Sequence, residues 1–172
     1  MKTIGIIPCR YQSSRFPGKP LALIDGKPMM WHVYQRALES NILDEVYIAT
    51  DDERIVKVAN EYELNTVMTS SQHETGTDRA AEVASKIQAD YYVTIQGDEP
   101  FIEQNAIKLV VQAIIDCDNP LIQATNAYTP MQDASDIVDT NTVKVIKDTN
   151  GQALAYSRQP IPYPKANIAK YY

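Results

Sequence analysis

Strand-like and helix-like segments alternate along most of this chain, and none is long enough to form a layer by itself. Residues 3–7 are a β-branched run stopped by Pro8, the signature of a short buried strand. Residues 46–50, 65–68, 91–96 and 121–127 repeat the theme. Between them lie segments with apolar residues at helical spacing. Met30, Val33, Tyr34, Ala37 and Leu38 fall on one face of a helix that opens near Pro28 and runs to about Ser40. Ile55, Val58, Ala59 and Tyr62 do the same after Asp51-Asp52, one of which caps the next helix. Further helices are expected over 77–89 and 103–116. Strands that alternate with helices at this spacing predict an α/β fold with a mostly parallel sheet and helices on both faces, a three-layer, doubly wound arrangement. Past residue 128 the order changes. Residues 143–147 and 153–157 flank Asn150-Gly151, a hairpin signal. Residues 159–172 carry three prolines and three tyrosines without a period and read as an excursion from the sheet.

Composition narrows the function. The 172 residues are 44% hydrophobic, enough for a sizeable core. Sixteen basic residues against 22 acidic ones give a net charge of −6. A domain that coats nucleic acid is usually basic, so no nucleic-acid partner is expected. A local basic cluster could still hold a small anion. Two cysteines, Cys9 and Cys117, are too few for a disulfide framework and are not spaced as a metal pair. Reduced thiols in a cytoplasmic protein are the default. No run approaches the ~20 apolar residues of a membrane span, and the N-terminal run is too short for a signal peptide.

In an open α/β sheet, ligands collect beyond the carboxyl ends of the strands. Residues 8–20 follow the first strand and hold Arg10, Ser13, Ser14, Arg15, Gly18 and Lys19. Arginine binds phosphate oxygens bidentately and lysine acts as a point charge, so three cations on one loop suit a triphosphate. A solvated basic turn is the other reading. Neither Gly-x-Gly-x-x-Gly nor a P-loop is present, since Pro20 follows Gly18-Lys19. Gln96-Gly97-Asp98-Glu99-Pro100 follows the fourth strand. A carboxylate there could hold Mg²⁺ on a substrate phosphate, or could satisfy a turn. Residues 69–79 are dense in hydroxyls and lead into a helix, whose free N–H groups favour anions. Thr75 or Thr77 could equally be a plain cap. His73 reads as a structural or surface residue, and Asp51 and Asp52 as ordinary cap chemistry. Cys9 has no partner base and is not read as a nucleophile.

The stretch Ile6-Ile-Pro-Cys-Arg-Tyr-Gln-Ser-Ser-Arg-Phe-Pro-Gly-Lys-Pro-Leu21 resembles the opening of the 3-deoxy-manno-octulosonate (Kdo) cytidylyltransferases. So do Gly26-Lys27-Pro28-Met29, Ala49-Thr50-Asp51-Asp52, Met68-Thr69, Gly76-Thr77-Asp78-Arg79-Ala80-Ala81-Glu82, Gln96 to Pro100, and Tyr156-Ser157-Arg158 with Ile161-Pro162. They occur in order across essentially the whole chain. The resemblance implies a nucleotide-diphospho-sugar transferase fold of Rossmann-like type. It implies the reaction CTP plus Kdo giving CMP-Kdo and pyrophosphate, with Mg²⁺, for lipopolysaccharide or capsule synthesis. Fragment binding without turnover, or another 2-keto sugar acid, are the alternatives. Carried over, Arg10, Ser13, Arg15 and Lys19 are the triphosphate loop, with Arg15 and Lys19 catalytic. Thr75, Gly76 and Arg79 are part of the cytidine pocket. Gln96 and Asp98 are the strand-end pair, with Asp98 catalytic and on the metal, and Arg158 meets the acidic sugar. On this reading residues 1–128 bind nucleotide, and 129–172 begin the sugar-binding and dimerisation part of a protein that is a homodimer at full length. The family runs longer than this chain and draws a second metal-binding aspartate from beyond it. Cys9, Phe16 and Glu74-Thr75 depart from the family's usual residues and look tolerable.

Overall fold

The computed structural model describes residues 1–12, 16–131 and 133–161. The chain forms two compact units, Met1–Thr125 and Asn126–Tyr172. In the first, β1 (Thr3–Pro8), β4 (Glu45–Thr50), β5 (Thr66–Met68) and β6 (Tyr91–Thr94) make a four-stranded sheet in the order β5-β4-β1-β6. Every pairing is parallel. Between these strands run α1 (Met29–Glu39), α2 (Glu53–Glu61) and α3 (Gly76–Lys86), and α4 (Gln104–Ile115) follows β6.

The alternation of side chains along β1 and β4 explains the layers. Ile7, Val46 and Ile48 enter one cluster with Met30, Val33, Tyr34 and Ala37 of α1, Ile55 and Ala59 of α2, and Ile107 of α4. Ile4, Ile6 and Ala49 enter the other, with Ala80 and Val83 of α3. Both faces of the central strands are thus covered, as a parallel sheet requires. Truncating Ile6 or Ile48, both fully buried, would cost about 2–5 kcal/mol. Tyr34 crosses the layer boundary and donates its hydroxyl to the Val46 carbonyl at 3.1 Å.

Helix starts follow local chemistry. Pro28 stands at the N-cap of α1 in extended conformation. Asp52 caps α2 by accepting from the Arg54 amide. Thr75 and Asp78 form a reciprocal capping box on α3. A short hairpin, β2 (Leu23–Ile24) and β3 (Lys27–Pro28), precedes α1. Its two central residues, Asp25 and Gly26, both have positive φ, the type I′ geometry that Asp-Gly favours.

One expected strand is absent. Residues 121–127 are irregular: Leu121 N–H donates to the Asn119 side chain, Ile122 N–H to the Asn119 carbonyl, and Leu121 is 84% exposed. A β-run needs a ladder partner, and Asn119 instead turns the entering backbone on itself. The helix expected to reach residue 89 ends at Lys86, and the strand expected to reach Gln96 ends at Thr94.

The second unit holds α5 (Ala134–Val138) and the antiparallel pair β7 (Lys144–Lys147) and β8 (Ala153–Ser157). The hairpin foreseen at Asn150-Gly151 forms. Its turn is longer than two residues: Asp148 N–H bonds the Gln152 carbonyl and Gly151 N–H bonds the Asp148 carbonyl. From residue 162 onward the expected excursion lies outside the described residues.

Candidate active site

The connections step outward from β1 to β4 to β5, then return across β1 to β6. Reversal of direction puts α3 on the face opposite α1 and α2 and opens a crevice between the carboxyl ends of β1 and β6. Pro8, Cys9 and Arg10 leave one side of it, and Gln96, Gly97 and Asp98 leave the other. The two sides are in close contact. A Cβ on Gly97 would stand 2.6 Å from the Pro8 carbonyl oxygen and 3.1 Å from the Cys9 sulfur. Only a glycine allows that approach.

The basic loop leaves β1 through Cys9, whose N–H donates to the Ala49 carbonyl at 2.8 Å. Its neck is closed where Gly18 N–H donates to the Tyr11 carbonyl at 2.7 Å. Gly18 has φ +71, and a side chain there would press on the Tyr11 ring. Arg54 stacks on the other partner of that neck, 3.3 Å from the Tyr11 ring, while its guanidinium pairs with Asp52. Lys19 then falls in a 3-10 turn, Lys19–Leu21. Its Nζ donates to Asp98 Oδ2 at 2.8 Å, across 79 residues of sequence. Arg10 Nη2 is buried and has no hydrogen-bond partner among the described residues. Ser13 and Arg15, expected in the same loop, lie outside the described residues. Gln96 and Asp98 are both exposed at the end of β6.

The loop after β5 supplies the third wall. Gly76, at the start of α3, would bring a side chain to within 3.4 Å of the Pro8 ring, so the amino end of α3 rests on the end of β1. Asp78 is held below the ordinary carboxylate range, first by the Thr75 hydroxyl and amide, and further by the charges of His73 and Arg10. Arg79 is fully buried. Its Nη1 donates to the Thr69 hydroxyl and to the Ser70 carbonyl, and its Nη2 faces Asp51 Oδ2 at 3.2 Å. That nitrogen lies off the hydrogen-bond axis, and Nε has no partner among the described residues. His73 pairs with Glu82, which also accepts from the Ser70 amide and from Lys86. Those bonds, Lys86 first, draw the Glu82 carboxyl down to about 2. His73 is therefore a strut of the loop, a structural residue as expected.

Cys9 is no nucleophile. Burial pushes its thiol up to about 12, and Asp98 adds to the rise against the opposing charge of Arg79. Arg158 lies in the second unit, where its Nη1 donates to the carbonyls of Thr140 and Asn141 at 3.1 Å each. Lys144, almost fully buried, donates to the carbonyls of Asp139, Thr142 and Arg158 and so fixes that end of the hairpin.

Comparison with known proteins follows this geometry. A family model of cytidylyltransferases matches residues 4–172. The 3-deoxy-manno-octulosonate cytidylyltransferase of Escherichia coli is 44% identical over 171 residues, covering 99% of this chain and 68% of that one. The chain belongs to this cytidylyltransferase family. The enzyme of the same name from Geotalea daltonii is 46% identical over 162 residues, 94% of this chain and 63% of its own. This chain thus spans a little under two thirds of several curated relatives. A solved CMP:2-keto-3-deoxy-manno-octonic acid synthetase, complexed with CTP, superposes with a TM-score of 0.84 at 41% identity, over 96% of this chain and 67% of that one. A cytidylyltransferase from Leptospira borgpetersenii, 21% identical with a TM-score of 0.61, shares the fold.

Within this family frame, the motif segments from the ends of β1, β5 and β6 converge at one place, and Lys19 meets Asp98 there. Asp51 was read from the sequence as cap chemistry, and Thr69 and Tyr11 only as members of family motifs; none of the three was given a role in the site. The signal for Asp51 was present: two consecutive aspartates stand where one caps the helix, which leaves the other free to answer a buried cation.

Proposed function

We propose that this chain binds CTP in the crevice between β1 and β6 and serves transfer of its cytidylyl group to Kdo or a close 2-keto sugar acid. The carrying observation is the meeting of Lys19 and Asp98 at the mouth of that crevice. The family and the CTP-bound relative favour a cytidine nucleotide over others.

On this reading Lys19, Arg10 and Arg15, with Ser13, engage the triphosphate, and the buried unpartnered nitrogen of Arg10 is a donor held ready for an anion. Thr75 and Gly76 border the base, with Arg79 buried behind their loop, and Gln96 lies beside Asp98. The sugar's anomeric hydroxyl attacks the α-phosphorus. A new O–P bond forms as the bond to the β-phosphate oxygen breaks, and pyrophosphate carries away the charge. Lys19 and Arg15 stabilise the charge that develops, and the site works by positioning and electrostatics. No covalent intermediate is required: the Cys9 thiol is held protonated and His73 is tied to Glu82.

Asp98 fits a role on Mg²⁺. It is an exposed carboxylate just past β6 whose partner is Lys19. A single carboxylate plus phosphate oxygens and waters suits this ion. Bound there, Mg²⁺ would neutralise charge on the departing pyrophosphate. Arg158 is assigned to the sugar carboxylate, and dimerisation to the full-length protein. Two free thiols suit a reducing, cytoplasmic setting, and no helix of the described residues is long and apolar enough to cross a membrane. Lipopolysaccharide or capsule synthesis is the corresponding biological role.

Calorimetry with CTP, UTP, ATP and GTP in Mg²⁺ tests the base, and pyrophosphate release with CTP and Kdo tests the reaction. CTP should bind best, and Asp98→Asn should remove the Mg²⁺-dependent part of that affinity. Equal affinity for all four nucleotides would refute the cytidine assignment. Unchanged Mg²⁺ dependence in Asp98→Asn would return Asp98 to a turn residue.

A further inference from the structure

We infer that Asp51 is a positioning residue for the nucleotide site, acting through Arg79 on the loop that joins β5 to α3. The inference rests on the nucleotide reading of that site and deepens it. Three observations lead there. Arg79 is 0% exposed, and a charge so placed needs a counter-charge to remain. Asp51 is the carboxylate facing it, at 3.2 Å, and it stands at the carboxyl end of β4, in the middle of the sheet. The capping of α2 is already supplied by its neighbour Asp52, which accepts from the Arg54 amide and pairs with the Arg54 side chain. Asp51 is therefore not needed by the helix it precedes.

What the pair holds is the loop. Arg79 reaches Thr69 and Ser70, the first two residues past β5, while its own backbone belongs to the first turn of α3. Thr69 is buried, and both its amide and its hydroxyl donate to the Thr50 carbonyl, the last of β4. The guanidinium thus ties the start of the loop to its end, and Asp51 anchors the tie to the sheet. Thr75 and Gly76 are carried on that loop. Without Asp51 the buried cation has no carboxylate partner among the described residues, and it must pull toward solvent or toward another acceptor. Either motion drags Thr69 and the amino end of α3 off the end of β1.

The test is carried out on the 172-residue chain with the variants Asp51→Asn, Asp51→Glu and Thr69→Val. Amide hydrogen exchange over residues 69–76 and CTP affinity are read together, with pyrophosphate affinity as a control for the basic loop. In Asp51→Asn, exchange over 69–76 should speed up at least tenfold while the amides of β1 and β4 stay within threefold. CTP affinity should fall at least tenfold and pyrophosphate affinity should hold within threefold. Asp51→Glu should recover part of both losses. Thr69→Val, which leaves the ion pair in place, should move exchange and CTP affinity the same way by a smaller factor. If Asp51→Asn does not fold, Asp51→Glu carries the test: exchange over 69–76 should be faster and CTP affinity weaker than in the wild type. Unchanged protection of 69–76 in the folded variants would overturn the inference. So would faster exchange with unchanged CTP affinity, which would leave the pair merely structural. If the wild-type chain binds no CTP, the nucleotide reading falls, and the exchange measurement still decides whether Asp51 holds the loop.

Discussion

A single side chain can matter little for stability and much for binding. Lys19 and Asp98 show the case. Their side chains are 36% and 56% exposed, and a pair that wet contributes no more than about 1 kcal/mol to folding. A charge-assisted bond from the same lysine to a phosphate is worth about 1.5–3 kcal/mol. Lys19→Ala should therefore leave the urea midpoint nearly unchanged and weaken CTP binding by more than tenfold, as calorimetry would report. Cys9 gives the opposite lesson. Its position beside a basic loop invites a reactive thiol, yet burial outweighs the nearby cation and holds the thiol protonated, near 12. With a thiol reagent at pH 8, Cys117 should react in the native protein and Cys9 only after unfolding. Rapid modification of both would contradict the burial of Cys9.

Elements depend on how closely their ends approach one another. The end of β6 can pass the end of β1 because residue 97 has no side chain. Gly97→Ala drives a Cβ onto a backbone oxygen, which cannot rotate away. It should cost about 1–3 kcal/mol in urea unfolding, and nucleotide binding should fall with the displaced strand end. The loop between β5 and α3 has a pH dependence with a definite sign. The Glu82 carboxyl is depressed from 4.5 to about 2 by Lys86, Ser70 and His73. A depressed carboxylate stabilises the folded state at pH above its unfolded value, and that contribution fades as pH falls from about 4.5 through about 2. The stability gap between wild type and Glu82→Gln should thus be widest above pH 4.5 and close toward pH 2. A gap that does not change with pH would mean the carboxylate charge is not what Ser70 and His73 rely on.

The molecule as a whole places its core in one of its two units. Both buried clusters draw on residues between Ile4 and Ile107, all within Met1–Thr125. Residues 1–125 expressed alone should unfold cooperatively in urea at the midpoint of the full chain's main transition. Loss of that cooperativity would show that the later residues complete the core. Much of this unit was legible in advance, because its information is local. The β-branched run of β1, the 3.6 period of α1 and α2, and the caps at Asp52 and Thr75 each act through neighbours in sequence. The alternation of strand and helix then restricts the sheet to parallel pairing. The motif segments, too, could be assigned to strand ends from order alone. Other features were not legible because they depend on distant partners. Residues 121–127 have strand-like composition, but a strand exists only where an edge accepts it. Asp51 and Asp52 are chemically alike and adjacent, so nothing local says that one caps a helix and the other faces a buried arginine 28 positions on. The crossing of the chain back over β1 decides that assignment. It brings α3 against the end of the first strand and sets Lys19 on Asp98. Sequence determined which residues could do chemistry. Tertiary structure decided which of them meet, because charge and burial act through space and not along the chain.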